Sequence, residues 1–534
     1  MQYKHFGAMI DCSRGAVLKV SAVKKLIDAL QKMGYNTLEL YTEDTFEVEG
    51  EPYFGYLRGR YSSVEIKEMD SYAAAHGIEL IPCIQTLAHF TNPVKLPRFA
   101  EITDVNDILL IDDEKTYEFL DHIFASLAKN FTSRNVNIGM DEAHMVGLGK
   151  YLNRHGYCDR FEILSRHLQR VISIAKKYGF SAHMWSDMFF RLAAQGDYYG
   201  NDIRFPDELL AKVPSDIALT YWDYYHIDET HYNTMLDLHK KFGNKIWFAG
   251  GAWTWTGFAP KTRFSYASMK PAMQSVCKNG IENVLITMWG DNGGECPPFA
   301  VLQVLYAIRK FADGEFADKK IATEFEKLFG ISAEDFDLLE LPDTLTDITD
   351  LNDHANPSKA LLYSDPFMGI YDVGINAHAP IPYAEYAQKL SEAKARVGEY
   401  SYLFETAQKL CEVLEIKAYL GVRTRKAYRV GDKDALRAVC ADYTVAIERL
   451  AAFTEVFTKQ WYMLNKSFGF EVHCARLGGV RLRLEHCRGR LQAYIRDEID
   501  CIEELQEDIL AYNPYAPDNL LLNEYRRTVS MSEI

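Results

Sequence analysis

Residues Asn135-Val136-Asn137-Ile138-Gly139-Met140-Asp141-Glu142-Ala143-His144 form a short, mostly apolar run that ends in two adjacent carboxylates. Burying either carboxylate without a partner costs on the order of several kcal/mol, so a fold places such a pair at the mouth of a core. An Asp that caps a helix, with a Glu in its first turn, is the alternative interpretation. Seven other strand-like runs also end in polar or aromatic residues, and this favours a shared mouth.

Strand-like runs alternate with amphipathic helices through the first 315 residues. The predicted strands are 7–14, 37–43, 78–85, 135–142, 180–187, 216–223, 245–252 and 283–290. Helices are predicted between them, for example over 20–33, 63–76 and 117–130. Most of these strands are apolar on both faces, as in a parallel sheet covered by helices. We therefore predict an α/β fold with a (β/α)8 TIM barrel at residues 1–315.

An open, doubly wound sheet is the alternative for this alternation. Such a sheet usually carries a Gly-rich phosphate loop after its first strand, and this chain has Asp11-Cys12-Ser13-Arg14 there. After residue 315 the pattern changes to an irregular acidic connector, 316–380, and then to a mainly α-helical C-terminal domain, 381–534. Its amphipathic runs cover about 384–430, 433–466 and 475–511. Their apolar stripes favour packing on each other and on the barrel, and a surface for a partner or a homodimer is the alternative.

Composition limits the classes of ligand. With 59 Lys and Arg against 75 Asp and Glu, the net charge of −16 argues against a nucleic-acid partner. The 13% aromatic content suits stacking on a small, uncharged carbohydrate. No apolar run is long enough to span a membrane, and the N-terminus lacks the features of a secretory signal. The 10 cysteines occur singly, which predicts free thiols in a reducing, cytoplasmic environment. We expect no metal and no cofactor, because no cluster of ligands has metal spacing.

In a TIM barrel the active site lies at the carboxyl ends of the strands. Residues at or near the predicted ends are Arg14, Glu43, Asp44, Gln85, His89, Asp141, Glu142, Trp185, Asp187, Tyr221, Trp222, Asp223, Tyr224, Trp253, Trp255, Trp289, Asp291 and Asn292. Aromatic rings with a few carboxylates are suited to binding a sugar. Adjacent carboxylates such as Asp141 and Glu142 are poorly suited to flank a glycosidic bond from opposite sides. They suit a route in which Glu142 protonates the leaving oxygen and Asp141 steadies a group supplied by the substrate.

Residues 137–142 resemble the His-x-Gly-Gly/Ala-Asp-Glu signature of glycoside hydrolase family 20, the β-N-acetylhexosaminidases. Further similarities to this family follow along the barrel. They are Asp11-x-Ser13-Arg14, Leu87-Ala88-His89, Trp185, Tyr221-Trp222-Asp223 and Trp289-Gly290-Asp291. The Met140–His144 segment also spells the DEAH box of helicases, but the P-loop that those enzymes need does not occur.

The resemblance implies an exo-acting, retaining enzyme that removes terminal GlcNAc or GalNAc by substrate-assisted catalysis through an oxazolinium ion. It implies that Glu142 is the general acid/base, that Asp141 orients the 2-acetamido group, and that Tyr221 donates to the acetamido oxygen. The substrate-binding residues that it implies are Arg14, His89, Trp185, Asp223, Trp253, Trp289 and Asp291.

Four positions depart from the family pattern, and one of them is Thr45, which stands where the second strand of the family has Gln after its acidic pair. Asn137 replaces the signature His, and Asp291 is one methylene shorter than the usual Glu. Gln85 occupies the place of the Asp that usually partners the histidine, so we expect His89 to lack an anionic partner. A non-catalytic carbohydrate-binding or scaffold protein on a barrel is therefore the alternative to an enzyme. A retaining glycosidase for another N-acetylated sugar is a third interpretation.

Overall fold

The chain forms two compact units in a computed structural model that describes residues 3–200, 202–348, 350 and 354–532. The first unit comprises Met1–Ala252, Ser265–Trp289 and Val304–Ile321. The second unit comprises Trp253–Phe264, Gly290–Gln303 and Ala322–Ile534. Neither unit is one continuous stretch, and the boundaries predicted at residues 315 and 380 stay predictions.

Eight parallel strands close into a barrel in the first unit, which confirms the predicted (β/α)8 fold. The strands are β1 (His5–Asp11), β2 (Thr37–Tyr41), β3 (Glu79–Cys83), β4 (Asn135–Asn137), β5 (Ser181–Trp185), β6 (Ala218–Trp222), β7 (Ile246–Gly251) and β8 (Asn283–Met288). Each strand pairs with its neighbours in chain order, and β8 pairs with β1 to close the barrel. Seven of the eight lie within the runs that predicted them, whereas β1 begins two residues before its run, at His5, and all eight end earlier than predicted.

Helices connect and surround these strands. The longer ones are α1 (Val20–Lys32), α2 (Ser63–Ala75), α3 (Glu114–Asn130), α4 (Arg160–Lys177), α5 (Glu229–Lys240), α6 (Thr262–Lys278) and α7 (Leu302–Ala312). Shorter helices are Pro93–Lys95, Pro97–Phe99, Lys150–His155, Asp187–Ala193, Asp207–Leu210 and Pro298–Val301, and a two-stranded ribbon joins Thr103–Val105 to Ile108–Leu109. The start of α2 shows why the helices begin where they do. The Ser62 side chain accepts from the Glu65 N–H, and the Glu65 carboxylate accepts from the Ser62 N–H.

Polar side chains fill part of the barrel interior. His183 Nε2 lies 3.0 Å from Glu39 Oε1, and the Asn137 amide donates to Glu39 Oε2 at 3.4 Å. The Trp247 ring stacks on His183 at 4.3 Å and on His5 at 4.7 Å. Asn137, which departs from the family signature, therefore has a buried partner on β2.

The second unit is mainly helical, as predicted. The long helices after the barrel are α8 (Asp318–Phe329), α9 (Tyr383–Lys394), α10 (Ser401–Lys417), α11 (Leu420–Arg429), α12 (Lys433–Leu464) and α13 (Phe470–Ile495). Short ones are Ala333–Asp337, Leu338–Asp343, Pro357–Tyr363, Asp372–Ala377, Gly398–Tyr400, Glu503–Gln506 and Tyr525–Thr528. The predicted run 384–430 is thus three helices, and the run 475–511 ends as a helix at Ile495.

The apolar stripes of α12 and α13 pack on each other. The Phe457, Trp461, Phe470 and His473 rings form one cluster, with centroids 4.9 to 6.3 Å apart. This contact accounts for the stripes within the second unit, and a homodimer stays a prediction. Among the described residues, no helix combines the length and the apolar character that crossing a bilayer requires.

Candidate active site

The turn after β4 carries the two adjacent carboxylates. Gly139, Met140 and Glu142 all adopt positive φ angles, of +72°, +70° and +52°. Gly139 is required here, because a Cβ at this position would lie 2.1 Å from Gln85 Oε1. The same Gln85 oxygen accepts from the Met140 N–H at 3.1 Å. The close approach of Gln85 thus fixes the turn that precedes Asp141 and Glu142.

Asp141 is buried and anchored through both of its carboxylate oxygens. The Gln85 amide donates to Oδ1 at 2.7 Å, and His89 Nε2 lies 3.1 Å from Oδ2. Burial raises the pKa of Asp141, but the charge of His89 and the hydrogen bonds from His89 and Gln85 hold it below its ordinary value. The expectation that His89 lacks an anionic partner is therefore wrong, because Asp141 itself supplies the charge and Gln85 binds Asp141.

His89 is a cation whose side chain is 14% exposed in this arrangement. Burial lowers its pKa, but the carboxylate of Asp141 outweighs that effect, and Glu43 adds to it, so that the pKa rises to about 10. His89 Nε2 also lies 3.8 Å from Glu142 Oε2. One positive charge therefore faces both members of the carboxylate pair.

Glu142 differs from Asp141 in its exposure, since 44% of its side chain is accessible to solvent. Its backbone N–H donates to Asp187 Oδ2 at 3.1 Å, and the Arg191 guanidinium donates to the same oxygen at 3.0 Å. Asp187 is fully buried, and burial together with the charge of Asp141 raises its pKa to about 7. From the sequence, Asp187 was only one of many strand-end residues. Its contact with Glu142 depends on a turn that no sequence pattern revealed.

Arg14 lies at the end of β1, and 29% of its side chain is exposed. Its Nη2 is 3.2 Å from Glu43 Oε1, and its Nε is 3.7 Å from Asp11 Oδ2. The Tyr41 hydroxyl donates to Glu43 at 3.0 Å and accepts from the Gln85 amide at 3.0 Å. A continuous polar network therefore joins Arg14 to the residues that hold Asp141.

Aromatic side chains border the same network. Trp185 is 1% exposed, and its ring centroid lies 5.9 Å from that of Trp289. Trp289 also meets Tyr41 edge-on at 4.8 Å. Burial raises the pKa of the Tyr224 hydroxyl well above its ordinary value, against the lowering effect of its hydrogen bonds with the side chains of Trp289 and Thr287. The Tyr224 hydroxyl is thus beside the Trp289 indole.

Tyr221 occupies the other face of β6. It pairs in register with Phe248, and its ring contacts Phe248 at 5.5 Å and His239 of α5 at 4.9 Å. Its hydroxyl donates to Asp223 at 2.7 Å, and both residues are 0% exposed. The prediction that Tyr221 faces a bound sugar is therefore corrected, because the phase of the strand directs its ring toward the helix layer.

Asp223 forms a cluster with two histidines instead of facing the mouth. His226 Nδ1 lies 2.9 Å and His231 Nε2 3.3 Å from Asp223 Oδ2. Burial raises the pKa of Asp223, but the hydrogen bonds from both histidines outweigh it and lower the pKa to about 2. The prediction that Asp223 contacts a sugar hydroxyl is corrected, since its carboxylate is buried and occupied.

Asp223, His226 and His231 are close enough together for their ligand atoms to hold one metal ion. No other such group occurs among the residues that the structure describes. The His226 and His231 rings stack at 3.5 Å with an angle of 14° between their planes. Lone pairs of two parallel imidazoles do not converge on one ion, because each lies in the plane of its own ring. The arrangement therefore favours a hydrogen-bonded cluster, and the absence of a metal site stays a prediction.

Two predicted residues, Trp253 and Asp291, belong to the second unit. Trp253 is 2% exposed, and it stacks on Trp255 at 4.4 Å and on His354 at 4.8 Å. These contacts within the second unit account for the burial of Trp253 without a bound sugar. Asp291 is exposed and lies three residues after Met288, the last residue of β8. Their contacts with a sugar stay predictions.

Comparison with known proteins gives two family models that match different parts of the chain. The model for the glycosyl hydrolase family 20 catalytic domain matches residues 3–236. The model for the Glycoside Hydrolase 20C C-terminal domain matches residues 334–522.

The individual relatives are distant from this chain in sequence. Human Hexosaminidase D is 23% identical over 352 residues, which are 60% of this chain and 68% of that protein. Beta-hexosaminidase of Vibrio furnissii is 27% identical over 247 residues, 38% of this chain and 39% of that protein. The structure of a GH20 exo beta-N-acetylglucosaminidase from Vibrio harveyi, in complex with N-acetylglucosamine, shares 16% identity at a TM-score of 0.46. The match covers 61% of this chain and 58%, less than two thirds, of that one. On the two family models, this chain belongs to glycosyl hydrolase family 20.

Proposed function

We propose that the chain is an exo-acting, retaining β-N-acetylhexosaminidase that removes terminal GlcNAc or GalNAc from small carbohydrates. The observation that carries this proposal is the pair formed by buried Asp141 and exposed Glu142, with the His89 cation 3.1 Å from one and 3.8 Å from the other. Membership of glycosyl hydrolase family 20 and the names of its hexosaminidase relatives support the same activity.

The two carboxylates differ in solvent exposure, and this suits them to different roles in the reaction. Glu142 is open to solvent, so it can deliver a proton to the glycosidic oxygen and later accept one from water. Asp141 is held at both oxygens and is kept ionised by His89, so it is suited to fix and stabilise a group of the substrate without leaving its place.

The proposed reaction has two steps. The carbonyl oxygen of the 2-acetamido group attacks C1 as the C1–oxygen bond to the leaving group breaks, and Glu142 gives its proton to that oxygen. Asp141 stabilises the positive charge of the oxazolinium ion that results. Water then attacks C1 from the side that the leaving group vacated, and the bond between C1 and the acetamido oxygen breaks, which restores the acetamido group. Glu142 takes the proton of the water, and the configuration at C1 is retained.

Tyr224 replaces Tyr221 in the proposed site. Its hydroxyl lies beside Trp289, whereas that of Tyr221 is bound to buried Asp223. We propose that Tyr224 donates to the acetamido oxygen and that Trp185 and Trp289 border the sugar ring. Arg14 is exposed enough to reach sugar hydroxyls.

The first experiment measures nitrophenol release from 4-nitrophenyl N-acetyl-β-D-glucosaminide and from its galacto epimer. For Glu142→Gln we expect a loss of about 10²–10⁴-fold in kcat/KM, the range typical of a general acid/base. Wild-type protein that binds the sugar without turning over either glycoside would contradict the proposal and support the carbohydrate-binding alternative.

Two controls separate this mechanism from one with an enzyme nucleophile. The matching glucoside, which has a hydroxyl in place of the acetamido group, should not be hydrolysed, because it lacks the internal nucleophile. Tyr224→Phe should lower kcat, whereas Tyr221→Phe should leave kcat within about twofold, since its hydroxyl donates to buried Asp223. If Tyr221→Phe lowers kcat and Tyr224→Phe does not, Tyr221 would be the residue that donates to the acetamido oxygen.

A further inference from the structure

The turn that follows β8 has an unusual backbone. Asn292, Gly293 and Gly294 are consecutive residues with φ angles of +56°, +138° and +62°. Glycine gives such a segment many alternative conformations, so its own sequence does not fix one shape. The shape must therefore depend on residues that contact the turn from elsewhere in the second unit.

Residues of α13 make those contacts. Arg476 donates from Nη1 to the Asn292 carbonyl at 2.6 Å and from Nη2 to Asn292 Oδ1 at 3.0 Å. His473 Nε2 donates to the Gly293 carbonyl at 2.9 Å. A Cβ on Gly293 would lie 2.8 Å from Arg476 Nη1, so the glycine allows the guanidinium to approach. Two side chains of one helix thus bind consecutive carbonyls of the turn.

A buried ion cluster completes the attachment. Glu295 Oε1 lies 3.0 Å from Lys359 Nζ and 3.3 Å from Arg476 Nη1, and the Glu295 and Lys359 side chains are at most 1% exposed. Lys359 also donates to the Asn292 carbonyl at 3.4 Å. Buried ion pairs contribute little net stability, because desolvation of the charges offsets their attraction. The main effect of this ion cluster is therefore to hold the 292–295 turn in one conformation, with little added stability of the fold.

We propose that Arg476 and Lys359 are positioning residues, which fix the 292–295 turn and through it the orientation of the adjoining Asp291. This inference rests on the proposed function and on the contact between Asp291 and the sugar that the family resemblance predicts. It assigns a role to the helical C-terminal region, whose residues would set substrate affinity and the choice between the gluco and galacto epimers without touching the substrate.

The test compares steady-state kinetics of Arg476→Ala and Arg481→Ala on both epimeric nitrophenyl glycosides. Arg481 lies on the same helix, is exposed and pairs with Glu485 at 3.1 Å, so it controls for the loss of an arginine from α13. We expect KM to rise about tenfold for Arg476→Ala, as for loss of one well-placed charged hydrogen bond, with a smaller change in kcat. The ratio of kcat/KM between the epimers should also change, and Arg481→Ala should match the wild type.

A second variant covers the case in which Arg476→Ala fails to fold. Asn292→Gly keeps the positive φ angle but removes the Oδ1 acceptor of Arg476, and we expect it to raise KM in the same direction by about threefold. Arg476→Lys should restore part of the wild-type KM, because it keeps one charged donor. An unchanged KM and epimer ratio in Asn292→Gly and in folded Arg476→Ala would overturn the inference alone. Absence of turnover by the wild type would overturn the proposed function as well.

Discussion

His89 and Asp141 stabilise each other's charge in a buried setting, and this pairing makes stability depend on pH. The pKa of His89 rises from 6.5 to about 10 on folding, so the folded protein holds this proton more tightly than the unfolded chain. The resulting stabilisation is complete below about pH 6.5 and is lost as the pH rises toward 10.

We expect the difference in Tm between the wild type and His89→Gln to be largest near pH 6 and to shrink steadily up to pH 10. Thermal unfolding at intervals of one pH unit measures it. His155→Gln, which removes an exposed histidine from the Lys150–His155 helix, is the control. A Tm difference that is constant from pH 6 to pH 10 would contradict the charged His89.

Asp187 should show a pH dependence of its own. Its pKa rises from 3.8 to about 7 on folding, so the folded state becomes relatively less stable as the pH increases through this interval. Asn keeps an oxygen that can accept from Glu142 but carries no charge. We therefore expect the Tm of Asp187→Asn, relative to the wild type, to increase between pH 4 and pH 7 and then to level off. A relative Tm that falls over this interval would show that Asp187 is ionised at low pH.

At individual positions, the sequence predicted the chemistry of the site better than the direction of its side chains. Asp141 and Glu142 could be predicted because a carboxylate pair that ends an apolar run has few places in a fold. The direction of the Tyr221 side chain could not be predicted, because Trp222 is also aromatic and a shift of one residue along a strand moves a side chain to the other face of the sheet. Tyr224 lies beyond the end of β6, where alternation no longer applies.

The turn after β4 is the element on which the site depends most directly. A Cβ on Gly139 would lie 2.1 Å from Gln85 Oε1 and 2.7 Å from the Ile84 carbonyl. Gly77, which follows α2, has a similar φ angle of +69° but nothing within 4 Å of a Cβ, so it is a matched control.

We expect Gly77→Ala to lower the free energy of unfolding by about 1–2 kcal/mol, the cost of a left-handed Ala. Gly139→Ala should lose about 1–3 kcal/mol more because of crowding. Gly139→Ala should also lose activity, because Gln85 must move away from Asp141. Gly77→Ala should keep its activity. Urea unfolding and glycoside hydrolysis of both variants test this. Equal losses of stability would mean that Gln85 moves aside without cost.

Strand and helix positions were largely predictable from periodicity, but their ends were not. The run 135–142 predicted one strand, whereas β4 ends at Asn137 because positive φ angles begin at Gly139. Similarly, the amphipathic pattern over 384–430 is continuous in the sequence, yet the backbone breaks near Gly398, which has a φ angle of +53°. Hydrophobic spacing reports which face is buried and contains little information about such local turns.

Across the whole chain, the ten cysteines provide a test of the fold that does not depend on activity. All ten are free; Cys474 is exposed, while Cys158, Cys277 and Cys501 are partly covered and the other six are buried. Burial raises the pKa of buried thiols such as Cys83 and Cys411 well above the ordinary value, which makes them still less reactive.

We expect an aromatic disulfide reagent to modify one thiol rapidly in the native protein and all ten after denaturation without reductant. Cys474→Ser should remove the rapid phase, and a reducing agent should leave Tm unchanged. Fewer than ten thiols after denaturation would reveal a disulfide. The cytoplasmic location expected from these cysteines stays a prediction, as does the lack of a nucleic-acid partner.

The interleaving of the two units has a consequence for how this gene can be altered. Segments 253–264 and 290–303 are encoded within the barrel but pack in the second unit, where the Asn356 amide donates to the Thr256 carbonyl at 2.6 Å. A stop codon after residue 315 would leave the Thr256 carbonyl and the Glu295 carboxylate without their partners. Exchange of the second unit between relatives would therefore have to replace three separate coding segments at once.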